Sequence, residues 1–235
     1  MLNRRFNILS TTSLPFDRMG QIPESIEISV IPFIKVIPRP SVELKPLIAE
    51  FASDKQTVVF TSAHAVKFVS ECLKYKPEWK IYCIRNETRI AVENRFGSES
   101  IVRYANDALS LSHYMIADGI KDALFFCGDQ RIDILPENLK NHGIRLTELI
   151  VYETRKTPVH VEKQPDAILF FSPTAVQSFF SINNLSPDTL VFAMGKTTAG
   201  SLAAYTANTI IISQEADKAF VFNMAVEYAA SHPIT

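Results

Sequence analysis

Two short stretches of this chain set hydroxyl side chains at the end of an apolar run: FTSAHAV at 60–66 and FFSPTAV at 170–176. Ser62 and Ser172 stand 110 residues apart, and Thr88 in CIRNETRIAV and Thr198 in AMGKTTAGSL keep the same interval. A serine between a β-type run and a helical pattern reads as an N-cap, its oxygen taking up one free amide of the first turn. Proline at 173 fits the first helical position, where no hydrogen bond is lost. The other first-turn amides point outward and favour an anion. The chemistry open to such junctions is the holding of carboxylates or phosphates by backbone N–H groups, with Ser and Thr hydroxyls as donors beside them.

Other polar residues invite similar readings. GKTT at 195–198 suggests a phosphate loop, but that motif needs glycine at position 190, where Leu190 stands. Thr197 and Thr198 are then either ligand-facing hydroxyls or a plain helix cap. CGDQRIDILPENL at 127–139 puts Gly128 and Asp129 directly after an apolar strand. Gly128 lets a backbone approach a ligand closely or simply makes a tight turn, and Arg131 meets a carboxylate or is solvated. Tyr152 is a polar-tipped packing residue or a donor. The chain has no G-x-S-x-G elbow, no recognisable Ser–His–acid triad and no G-x-G-x-x-G, which argues against a serine hydrolase and a dinucleotide enzyme.

The totals narrow the partners. Lys and Arg number 24 against 25 acidic residues, and no basic run stands out, which argues against nucleic acid. Cys72, Cys83 and Cys127 are scattered and read as reduced core residues. The five histidines, His64, His113 and His142 among them, lack metal-ligand spacing, so no metal is expected. No apolar run reaches the length of a membrane span, and the start MLNRRFNILSTTSLPF is broken by Ser10–Ser13, unlike a signal peptide. The expectation is a cytoplasmic monomer.

These junctions need elements to hold them. Strands are expected near FNILST, IEISVI, TVVFT, KIYCI, SIVRY, ALFFC, LTELIVY, AILFF, LVFAM and TIIIS, alternating with eight helical patterns, the mark of α/β architecture with largely parallel sheets. Five strands fall between residues 40 and 150, three follow residue 158, and two in the first 30 residues lack a home. Three and two restore a second sheet of five. The reading is a discontinuous domain, 1–34 with 155–235, and an inserted domain, 38–150, both flavodoxin- or Rossmann-like. Two extended, proline-ended crossings, at 31–40 and 150–158, would pair as a two-stranded β ribbon and leave a cleft between the lobes.

VVFTSAHAV, LFFCGDQRIDILPENLKNHGIRLTELIVYET, ILFFSPTAV and FAMGKTTAGSL, in that order and spacing, resemble the uroporphyrinogen-III synthase family over nearly the whole chain. The resemblance implies closure of hydroxymethylbilane, a linear tetrapyrrole, to uroporphyrinogen III, with loss of water and inversion of the last ring through a spiro intermediate. It implies no cofactor. Tyr152 matches the tyrosine of the family's VYET-type motif and is the expected donor to the leaving hydroxyl. Carboxylate binding is then expected at Thr61, Ser62 and Ala63, at Thr88, at Gly128, Asp129 and Arg131, at Ser172 and Thr174, and at Thr197 and Thr198. Two departures stand out: Thr12 and Ser13 follow Thr11 where the family commonly has arginine and proline, and Arg85 replaces a frequent glycine. Arg85 either supplies a cation or is a structural arginine. A two-lobed protein that closes on a small anion without chemistry is the alternative from another class.

Overall fold

The computed structural model describes residues 4–16, 19–39 and 41–232, leaving out the side chain of Ser41. Residues 1–3, 17–18 and 233–235 of the expected outer domain, and Pro40 of the first crossing, lie outside the described residues. The chain divides into two compact units, Met1–Lys35 with Arg155–Thr235, and Val36–Thr154.

The first unit opens with β1 (Phe6–Ser10) and β2 (Ile26–Val30). The chain then runs through β3 (Ile34–Pro38), α1 (Ser41–Ser53), β4 (Thr57–Phe60), α2 (Ala63–Cys72), β5 (Lys80–Ile84), α3 (Glu87–Phe96) and β6 (Ile101–Ala105). It continues with α4 (Ala108–Ala117), β7 (Asp122–Gly128), α5 (Ile134–Asn141) and the long β8 (Arg145–Lys156). The return to the first unit brings β9 (Ala167–Phe170), α6 (Pro173–Phe180), β10 (Leu190–Ala193), α7 (Lys196–Leu202), β11 (Ile210–Ile212) and α8 (Lys218–Ser231). Each strand expected from the sequence is present.

In the second unit the sheet order is β3-β8-β7-β4-β5-β6. Every pair from β8 to β6 is parallel. The Arg39 N–H donates to Val151 O at 3.0 Å and the Thr157 N–H to Phe33 O at 2.9 Å. Rising numbers on β3 meet falling numbers on β8, so the two crossings form an antiparallel ribbon. Strands such as AILF of β9 are apolar at every position because both faces are covered. Val58 and Phe60 pack with Ile48, Val66 and Phe96 of α1, α2 and α3, while Val59 packs with Leu111, Met115 and Leu139 of α4 and α5.

In the first unit the order is β11-β10-β9-β1-β2, with every pair parallel. Ile8 and Leu169 meet Phe222 and Ala225 of α8 on one face, and Leu9 and Phe170 meet Val176, Phe179 and Leu202 of α6 and α7 on the other. Counted along its own strands this is the flavodoxin-like order 2-1-3-4-5, whereas β4 to β8 follow the Rossmann-like order 3-2-1-4-5. Laid side by side, β6-β5-β4-β7-β8 and β11-β10-β9-β1-β2 match strand for strand. The two sheets are thus circular permutations of one arrangement. β4 with Ser62 corresponds to β9 with Ser172, and β5 with Thr88 to β10 with Thr198, which accounts for the repeated interval.

Candidate active site

Parallel strands end together, and the switch point of such a sheet is where neighbouring connections leave to opposite faces. In the second unit that point lies between β4 and β7. Their register pairs Phe60 with Phe126. Two residues further on, Ser62 and Gly128 stand at the same level. In the first unit the switch point lies between β1 and β9, beside Thr11 and Ser172.

Ser62 is the N-cap of α2, extended at φ −146° and ψ 132°, and its Oγ accepts the His64 N–H at 3.2 Å. The Tyr152 hydroxyl donates to the same Oγ at 3.0 Å. Tyr152 reaches it through a bulge: Cys127 pairs with Ile150 but Gly128 with Tyr152, leaving Val151 as an extra residue on β8. Alternation puts Leu149 and Val151 on the α1–α3 face and Ile150 on the other, and the bulge returns Tyr152 to the α1–α3 face beside Val151. There its ring lies against Gly128, where a β-carbon would stand 2.4 Å from Tyr152 Cε2 and Cζ. Gly128 therefore makes room for this ring.

Two aromatic residues of α2 complete the wall. His64 meets the Tyr152 ring edge-on at 5.9 Å between centroids, and Phe68 is 6.0 Å away. Neither is among the residues expected at the site from the sequence. The available signal is their i,i+4 spacing on a helix that starts at Ser62, which puts them on one face. Burial raises the Tyr152 phenol above its usual range, the Ser62 bond works against that, and Cys127 and Asp129 add to it. Burial likewise pushes the Cys127 thiol up to about 11. Tyr152 therefore stays protonated at neutral pH, the state a donor needs.

The remaining expected residues divide. Thr61, Ala63 and Asp129 are half-buried. Asp129 is occupied in holding the bulge: its N–H donates to Tyr152 O at 3.2 Å and its Oδ1 accepts the Thr154 N–H at 2.8 Å. Arg131, expected to meet a ligand carboxylate, is paired with Glu148 and Asp133, and the Glu148 hydrogen bond leads in raising its pKa. Thr88 and Thr198 are each only 4% exposed, so their side chains belong to the helix packing. The cap reading of Thr197 and Thr198 also fails, because the N-cap of α7 is Gly195 and both threonines lie inside the helix. Thr197 is exposed.

In the first unit Ser172 caps α6, accepting the Ala175 N–H at 3.2 Å, with Pro173 as first helical residue and Thr174 half-buried beside it. Thr11 is fully buried and donates to Leu169 O at 2.7 Å, tying β1 to β9. Arg85 is exposed, with its guanidinium carbon 5.6 Å from the centre of the Tyr104 ring. Arg89 lies over the same ring at 4.0 Å.

Two parallel α/β units of permuted strand order, joined by an antiparallel ribbon that carries a tyrosine onto a switch point, define a two-lobed α/β class. The family model described as uroporphyrinogen-III synthase HemD matches residues 24–221, over four-fifths of the sequence. The chain belongs to the uroporphyrinogen-III synthase family, whose members are enzymes of haem biosynthesis acting on a tetrapyrrole. Among solved structures it is similar to uroporphyrinogen-III synthetase from Helicobacter pylori, with TM-score 0.66 and 17% identity over 95% of this chain and 99% of that one. A mutant uroporphyrinogen III synthase from the extremely thermophilic bacterium Thermus thermophilus gives 0.61 and 13% over 96% and 99%. Likeness at such identities speaks for the fold. Among the described residues no helix is long and apolar enough to cross a membrane.

Proposed function

We propose that this protein closes hydroxymethylbilane to uroporphyrinogen III, losing water and inverting the last ring through a spiro intermediate. The family supplies the reaction class, and the observation that carries the reading to particular atoms is the Tyr152 hydroxyl held 3.0 Å from Ser62 Oγ at the start of α2. Loss of the terminal hydroxyl needs a proton, and a phenol kept neutral by burial is a suitable source. The pyrrole-stabilised cation that follows is met by neighbouring dipoles and the π faces of His64, Phe68 and Tyr152. Free substrate can close without inversion, so the protein's task is largely orientation.

The substrate carries eight carboxylates, yet the protein's net charge is −1. Helix starts answer that mismatch, each favouring an anion by roughly 0.3–1 kcal/mol when exposed. The proposal places carboxylates at the free amides around Ser62 and Ala63 of α2 and around Ser172 and Thr174 of α6. Thr61, Thr197 and the first turn of α3 beside Arg85 take secondary contacts. No metal or organic cofactor is required by this scheme. The deciding assay mixes the protein with freshly made hydroxymethylbilane and resolves the product isomers. Enzyme-dependent type III product is expected, and type I product alone would leave a binding protein without chemistry.

A further inference from the structure

We infer that Ser62 hands the proton to the departing hydroxyl and that Tyr152, behind it, is the proton's source. The inference rests on the reaction proposed above. A serine oxygen can accept two hydrogen bonds and donate one. At Ser62 both acceptor positions are taken, by the Tyr152 hydroxyl at 3.0 Å and by the His64 N–H at 3.2 Å. The remaining hydrogen is Ser62's own. Tyr152's hydrogen is committed to Ser62, and its ring lies against Gly128, His64 and Phe68. A ligand hydroxyl arriving at the start of α2 therefore meets the Ser62 hydrogen before the phenol.

The relay balances. Ser62 Oγ–H protonates the hydroxymethyl oxygen while the carbon–oxygen bond breaks and its electron pair leaves with oxygen as water. The Tyr152 proton moves to Ser62 Oγ in the same step. The phenolate left on Tyr152 then faces the pyrrole-stabilised cation, opposite charges formed together at short range. After the spiro intermediate has fragmented and reclosed, the last ring sheds one hydrogen from carbon to recover its aromaticity. That proton returns through Ser62 to Tyr152, and the net change is one water lost.

A helix cap alone would also make Ser62 matter, so the test separates the two roles. Ser62→Thr keeps cap and relay. Ser62→Asn keeps an acceptor for the cap and for Tyr152 but offers only an amide N–H, too weak an acid to pass a proton. With hydroxymethylbilane at saturation, Ser62→Thr is expected within about threefold of wild-type kcat. Ser62→Ala, Ser62→Asn and Tyr152→Phe are each expected to lose about tenfold or more in kcat with smaller changes in KM. The double variant Ser62→Ala/Tyr152→Phe is expected to be no slower than the slower single one, as for groups acting as one unit. Wild-type kcat in Ser62→Asn, or losses that multiply in the double variant, would overturn the relay. Melting curves identify a poorly folded Ser62→Ala, in which case Ser62→Asn decides. Wild-type protein yielding only type I product would instead overturn the reaction itself, and the control arm shows that separately.

Discussion

The contact between Gly128 and the Tyr152 ring is the tightest constraint on the candidate site, and it makes the glycine testable apart from any ligand. Adding one methyl group places a carbon 2.4 Å from two ring atoms, so the ring must move. Gly128→Ala is expected to cost about 1–3 kcal/mol of stability and to slow type III formation. In a Tyr152→Ala background the same change should cost almost nothing, since the clashing ring is gone. Equal losses of melting temperature in both backgrounds would show that the glycine serves something else. Tyr152→Phe keeps the ring, and should leave the melting temperature within a few degrees while slowing type III formation by roughly 10- to 100-fold. An unchanged rate at saturating substrate would remove Tyr152 from the chemistry. Much of this is legible in the sequence, because a serine after an apolar run announces its cap and the motif ending in VYET singles out Tyr152. The bulge is not, since strict alternation puts Tyr152 on the face opposite Val151. Nor is the fate of Arg131, whose partner Glu148 lies 17 residues away on a neighbouring strand.

Elements are easier to read than their ends. Consecutive apolar residues of strand length, cut by polar turns, reveal inner strands such as β4, β7, β9 and β10, because a sheet covered on both faces leaves few polar positions there. The start of α7 escapes a reading that looks to Thr197 and Thr198, because Gly195 caps it by backbone alone, with no side-chain oxygen to mark the spot. The start of α3 hides a stronger demand. Arg85 N–H donates to Ala105 O at 2.7 Å, so the chain stays attached to β6 one residue past the end of β5 and the turn into the helix falls on Asn86. Asn86 adopts φ 67° and ψ −131°, a combination that favours glycine, so tertiary pairing sets a local cost no sequence pattern reveals. Asn86→Gly is expected to stabilise the protein by up to about 1 kcal/mol, read as a higher melting temperature, and a lower one would refute the strain. A second tie lies at the end of α4, where Asp118 receives Arg103 of β6 in a two-pronged pair and the Tyr82 hydroxyl of β5 at 2.9 Å. The Arg103 hydrogen bond, followed by that of Tyr82, outweighs burial and holds the Asp118 carboxyl below its usual range. A depressed carboxyl stabilises the fold above its ordinary pKa and loses that contribution as pH falls through the folded value. Asp118→Asn should therefore melt lower than wild type at pH 7, with the gap closing towards about pH 3 and below. A gap independent of pH would mean packing, not charge, is at stake.

At the scale of the whole molecule, insertion and permutation are one fact. A continuous unit whose strands run β4 to β8 has a counterpart in which the chain enters at β1 and β2, leaves for the other unit, and returns at β9. The sequence discloses this through two kinds of residue: strands without partners at the amino end, and serines and threonines repeated at one interval. Similar composition of the two units would not have revealed which strand matches which. Each of the four apolar clusters draws on residues of one unit, so neither core needs side chains from the other. The continuous unit also has low demands on chain closure, since β4 to β8 join in sequence through short connections, whereas the other must bring together strands more than 130 residues apart. A fragment of residues 36–154 is accordingly expected to fold alone, giving a cooperative thermal transition and dispersed amide resonances. The fragment of residues 1–35 should remain unfolded by itself. Joining 35 to 155 by a short glycine-rich linker should restore the other unit, because the Thr157 N–H to Phe33 O bond at 2.9 Å already brings the two chain ends together. A fragment 36–154 that stays disordered, while the linked 1–35/155–235 protein folds, would reverse the assignment of which unit is self-sufficient.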